Sequence, residues 1–127
     1  MSPLHPPASA CIWLPAHDAA AMQQFYVNEL GGFVLTQDWG MGHLELRWLY
    51  GPLGLYIHTT DNYTRDASAT PLLSLRTSQL DAEFARLNAM TISSGAELLS
   101  THIFDYPAGR NFTLRDPAGH CVLLEAA

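Results

Sequence analysis

The chain has 127 residues, enough for one domain with its own core. Hydrophobic residues make up 48% of it and charged residues 14%, which excludes a disordered chain. The formal net charge of −6, with the basic residues scattered, excludes a nucleic-acid backbone and an anionic membrane surface as natural partners.

The opening MSPLHPPASA has neither the basic start nor the apolar run of a signal peptide, and no stretch is apolar for long enough to span a bilayer. The two cysteines, Cys11 and Cys121, lie outside any CxxC or Cys/His zinc spacing. The expectation is a cytoplasmic protein with two thiols rather than a structural disulfide.

Residues 1–9 hold three prolines and read as a loose arm. Cys11–Leu14 is a short strand. Asp18 caps a helix in which Met22, Phe25, Tyr26 and Leu30 recur at helical spacing, and Gly31-Gly32 ends it. Strands are expected over Phe33–Thr36, Leu44–Tyr50 and Leu53–His58, the last two separated by Gly51-Pro52. Asp61–Ala69 is polar and without periodicity, a linker. The pattern then restarts. Leu72–Leu75 is a strand, Ser78-Gln-Leu-Asp81 is a capping box, and the helix behind it places Leu80, Phe84 and Leu87 on one face. Further strands are expected from Glu97 to Thr101 or Phe104, then Asn111–Leu114 and Cys121–Glu125.

Strand, helix, three strands thus occurs twice, over about 10–60 and 70–127. The expected fold is α+β: two tandem βαβββ modules in one domain, forming a curved, mostly antiparallel sheet around a cavity, with helices on the outer face. Alternation assigns the strand faces. Ile12 and Leu14, Leu55 and Ile57, Leu73 and Leu75, and Val122 and Leu124 form purely aliphatic faces suited to helices. The opposite faces carry Cys11 and Trp13, Tyr56 and His58, Thr70, Leu72 and Ser74, and Cys121, Leu123 and Glu125. Such a mixed face lines a pocket or faces water; Trp13, Tyr56 and Leu123 are too apolar for water, so pocket lining is the expectation.

Three segments resemble a known family. Phe25-Tyr-Val-Asn-Glu-Leu-Gly-Gly32 is similar to an "FY…LGF" helix end, Tyr106-Pro-Ala-Gly-Arg-Asn-Phe112 to a "pwG-r-F" segment before the seventh strand, and Arg115-Asp-Pro-Ala-Gly-His120 to a "DPdGn" turn. In that order and spacing they resemble the vicinal oxygen chelate superfamily: glyoxalase I, extradiol dioxygenases, and the fosfomycin and bleomycin resistance proteins. The resemblance covers most of the chain from Ala10 onward and implies the paired-module fold. It further implies a metal-ligand position on each of the first, fourth, fifth and eighth strands, filled by His or Glu in metal-dependent members. Those positions here hold Cys11, Tyr56, Thr70 and Leu123. None is His or carboxylate, so no resident metal is expected, although a divalent metal at a shifted site stays open. A slip of two residues keeps the face and brings in His58 and Glu125, which gives only two ligands.

His58 is a candidate general base or ligand donor, or else a satisfied strand-end histidine. Glu125 is a candidate partner for His58 or a ligand amine, or else an exposed carboxylate. Cys11 and Cys121 read as small apolar fillers of the pocket face. Trp13 and Tyr56 are the better members of an aromatic clamp; Trp48 has no assigned face and Trp39 falls in a loop. His43, Glu45 and Arg47 share a face that lines a groove or faces water. Arg115 anchors the Asp116 turn, or is a plain surface arginine; Arg110 meets an anionic ligand, or is likewise plain surface.

The leading expectation is a protein that binds an aromatic or amphipathic small molecule through Cys11, Trp13, Tyr56, His58, Thr70, Leu72, Cys121, Leu123 and Glu125. A homodimer is what the resemblance implies. The alternatives are a metal-dependent lyase, isomerase or dioxygenase of the same superfamily with a non-standard site, whose catalytic candidates are His58 and Glu125, and a regulatory module that binds a protein.

Overall fold

The computed structural model describes residues 10–61, 63, 70–107 and 109–127. The arm expected over residues 1–9 and most of the Asp61–Ala69 linker lie outside the described residues. The chain divides into two compact units, 1–63 and 64–127.

In the first unit, β1 (Ala10–Ala16) leads to α1 (Ala19–Gln23), which continues as a π-helical segment, Gln24–Glu29. Three strands follow: β2 (Phe33–Gly40), β3 (His43–Trp48) and β4 (Leu53–Thr59). The sheet order is β1-β4-β3-β2, with β1 parallel to β4 and the other pairs antiparallel. The Asp18 carboxylate accepts from the Ala21 amide at 3.1 Å, which satisfies one orphan donor of the first turn. The helix does not run as one regular α-helix to Leu30. Its last turns are widened, so that the Leu30 amide donates to the Phe25 carbonyl at 2.7 Å. Gly31 and Gly32 then take φ of +79° and +84°, and a Cβ on Gly32 would collide with the Trp48 ring. Leu14, Met22, Phe25, Tyr26, Phe33, Leu46, Leu55 and Ile57 are fully buried between helix and sheet.

In the second unit, β5 (Pro71–Thr77) leads to α2 (Leu80–Ala89), then β6 (Glu97–Leu98), β7 (Phe104–Tyr106), β8 (Gly109–Arg115) and β9 (Cys121–Ala126). The order is β5-β9-β8-β6, and β7 also pairs with β8. Again one pair, β5–β9, is parallel. Leu73, Leu75, Leu87, Phe112, Leu114, Val122 and Leu124 form the core, with Phe84 edge-on to Phe112 at 5.1 Å.

The α+β class with two tandem helix-and-sheet modules is observed, as sheets of four and five strands. Two local expectations fail. The Ser78–Asp81 capping box does not form: Gln79 is the N-cap, without a side-chain bond, and its amide donates to Thr77 Oγ1. The Asp81 carboxylate instead receives both arms of the Arg110 guanidinium at 2.9 Å each, a bidentate pair in which both partners are charged. The single strand expected from Glu97 onward is two short strands, β6 and β7, on successive stretches of β8.

Candidate functional site

The face of the first sheet opposite α1 is organised in cross-strand rows. In β1, β3 and β4 the aliphatic set points to the helix and the polar and aromatic set points away, as alternation predicts. The middle row is Trp13, Tyr56 and Glu45. Trp13 stacks on Tyr56 with centroids 4.3 Å apart and planes 18° from parallel. On one side of this row lie His58 and His43, register partners across β4 and β3. His43 Nδ1 is hydrogen-bonded to the Tyr56 hydroxyl at 3.1 Å, and the His58 ring lies 5.7 Å from Trp13. On the other side lie Cys11, Gly54 and Arg47.

Trp39 completes the cluster, its ring 5.4 Å from Tyr56 and tilted by 32°. The sequence reading placed it in a loop; it is in β2. The β2–β3 register shifts between Leu35 and Gln37 and again between Asp38 and Gly40, and such bulges re-aim side chains out of strict alternation. No two-residue periodicity could have revealed it. Trp48 is not part of the cluster: it packs on Phe33 at 4.9 Å, on the helix side. Trp13 and Trp39 remain 63% and 54% exposed, so the cluster presents aromatic faces rather than consuming them as core.

Partial burial, and then the Glu45 carboxylate, push the Cys11 thiol up, against a smaller opposing effect of Arg47. Both cysteines are free; Cys11 is exposed and Cys121 buried. Burial also pushes the Cys121 thiol up, with Arg115 opposing. Cys121, read from the sequence as a small apolar filler, is buried at 2% exposure.

In the second unit the remaining candidates lie apart from one another in function. Thr70 precedes β5 rather than standing in it. Leu72 is exposed and Leu123 partly so, on the face away from α2. Glu125 accepts from Arg76 Nε at 3.1 Å and from the Ser74 hydroxyl at 2.9 Å, and these bonds hold its carboxyl below its ordinary range. Arg110 is committed to Asp81, with Asp105 at 3.6 Å, and Arg115 donates to the Gly119 carbonyl at 2.9 Å. Neither arginine reads as an anion anchor; Arg115 does tie the Asp116 turn.

A catalytic divalent metal does not fit the four positions that the resemblance points to. They supply a thiol held protonated, a phenol engaged by His43, a hydroxyl and a hydrocarbon. The shifted alternative would draw on a Glu125 already bound to a guanidinium. Among the described residues no three His, Cys, Asp or Glu side chains come together in a way that could hold a metal ion.

This arrangement is the glyoxalase/bleomycin-resistance fold, consistent with the vicinal oxygen chelate superfamily that the sequence resembles. A glyoxalase/bleomycin resistance protein from Streptomyces sp. CB03234 is 25% identical, with 92% of this chain and 98% of that one covered and a TM-score of 0.69. A bleomycin-binding protein from Streptomyces verticillus, solved with copper(II)-bleomycin, is 28% identical over 98% and 99% of the two chains, with a TM-score of 0.61. An antibiotic binding protein from Streptomyces sp. CB03234 shares the fold at 24% identity over 99% and 98%, with a TM-score of 0.72. No protein-family profile matches the sequence, and no curated protein matches it.

Proposed function

We propose that this protein binds an aromatic or amphipathic small molecule, without a resident catalytic metal, on the helix-free face of its first sheet. The observation that carries the reading is the exposed Trp13–Tyr56 stack with Trp39 beside it. A planar ligand laid on these rings removes apolar surface from water on both sides, worth about 25 cal/mol per Å². It also adds offset stacking of about 0.5–1.5 kcal/mol per ring pair. His43 and His58 place ring nitrogens for hydrogen bonding at the rim of the rings. Of two structural neighbours at 25% identity or above, one is named as a bleomycin-binding protein and the other as a glyoxalase/bleomycin resistance protein, and the first of these names supports the binding reading.

Metal analysis of protein purified without chelator separates this from the enzyme alternative. The reading expects well under one equivalent of Zn, Fe or Mn per chain; one equivalent would replace it with metal-dependent chemistry. The two free thiols suit the reducing cytoplasm. β2 is an edge strand exposing Val34, Leu35 and Trp39, and the proposed state is a homodimer. Light scattering behind size exclusion checks this, and a monomer mass counts against it.

A further inference from the structure

All six basic residues are arginine, and five of them are described. Four have partners: Arg76 with Glu125, Arg86 with Glu83, Arg110 with Asp81, and Arg115 with the Gly119 carbonyl. Arg47 is different. Among the described residues none hydrogen-bonds or ion-pairs with its guanidinium, and it is partly buried. The nearest acid on its strand face, Glu45, is two residues away and spends its carboxylate on the Thr36 hydroxyl at 2.8 Å. In a chain of net charge −6, an unpaired, partly desolvated arginine beside an aromatic cluster is a position where an anion gains a partner without displacing one.

The cross-strand neighbours of Arg47 carry no acid. Arg47 is in register with Gly54, and Gly54 with Cys11. Gly54 has no side chain on this face, and a Cβ built there would meet only ordinary contacts, Cys11 Sγ at 3.7 Å among them. The row therefore sets the Arg47 guanidinium and the Cys11 thiol on neighbouring strands about a glycine that adds no side chain of its own. It lies one side-chain step, about 7 Å along the strands, from the Trp13–Tyr56 row. A compact aromatic acid carries its carboxylate somewhat closer to the ring centre than this, and the long, flexible Arg47 side chain spans the remainder.

We infer that the ligand class is a planar aromatic carboxylate, its ring on the open side of the Trp13–Tyr56 stack and its carboxylate against Arg47. The inference rests on the binding reading above and narrows it. The test is titration calorimetry at about pH 8, where an aromatic carboxylic acid is fully ionised. Three probes of one shape are used: naphthalene-2-carboxylate, naphthalene-2-carboxamide and 2-naphthylmethylammonium. The carboxylate is expected to bind about tenfold or more tightly than the amide, and the ammonium more weakly than either. Arg47→Met should bring carboxylate and amide to similar affinity, chiefly by weakening the carboxylate, and Arg47→Lys should keep part of the preference. Circular dichroism and melting temperature confirm that each variant folds. Equal binding of all three probes, or a carboxylate preference that survives Arg47→Met, overturns the carboxylate assignment and leaves the aromatic reading standing. Tighter binding of the ammonium overturns it in favour of a cationic ligand. Binding by none of the three overturns both readings.

Discussion

Trp13 is mostly exposed yet stacked, so its removal should separate function from stability. Trp13→Ala forfeits one partial stack and leaves no cavity, so it should destabilise the fold by no more than about 1 kcal/mol. Truncating Leu55, which is fully buried under the same strand, should cost about 2–5 kcal/mol. Urea denaturation of both variants checks the contrast. The thiols give a second check at this scale. Partial burial and Glu45 hold Cys11 more protonated than an ordinary thiol, so it should alkylate more slowly than free cysteine at neutral pH. Its rate should climb with pH past the usual thiol range. Cys121, buried, should react only on unfolding. Fast modification of Cys11 at pH 7 would mean that Arg47, not Glu45, governs its surroundings.

The best-defined element is the turn Asp116–His120, which ends β8 and aims β9. Asp116 is fully buried and its Oδ1 accepts from the Ala118 and His120 amides at 2.9 Å each. Asp116→Ala removes the shared acceptor of two amides in a buried turn, at about 1–3 kcal/mol for each hydrogen bond lost. Asp116→Asn keeps an acceptor and should cost less, as thermal melts will show. This turn was legible in RDPAGH because Asp, Pro and Gly each have one local role that chain order fixes. The same holds for Asp18, for Gly31-Gly32, and for the alternating faces of β1 and β4, which put Trp13 with Tyr56. Trp39 was not legible, since two bulges break the period that alternation depends on. The Asp81–Arg110 pair was hidden for another reason: its partners are far apart in sequence, and the local pattern S-x-x-D offered a plausible but weaker bond. Arg47's significance was equally out of reach, because it rests on every other described arginine being occupied.

Over the whole molecule, acid should act through two surface pairs. Asp81 is held below the ordinary carboxylate range by Arg110, and Glu125 by Arg76 and Ser74. Each folded-state pKa is lowered, so each pair's contribution is complete above the unfolded value and is lost as pH falls through the folded one, on the acid side of the ordinary carboxylate range. Asp81→Asn with Glu125→Gln should therefore flatten the acid limb of the stability curve and change little of its shape near neutrality. Unchanged acid sensitivity would place the loss elsewhere. The central claim is that this fold serves here to hold a planar ligand on an aromatic face. The most direct measurement is calorimetric titration of naphthalene-2-carboxylate into the unaltered protein and into Trp13→Ala. Saturable binding by the first, weakened about tenfold or more in the second with its fold intact, is the predicted result. Affinity unchanged by loss of the Trp13 ring, or no binding to either protein, would contradict it.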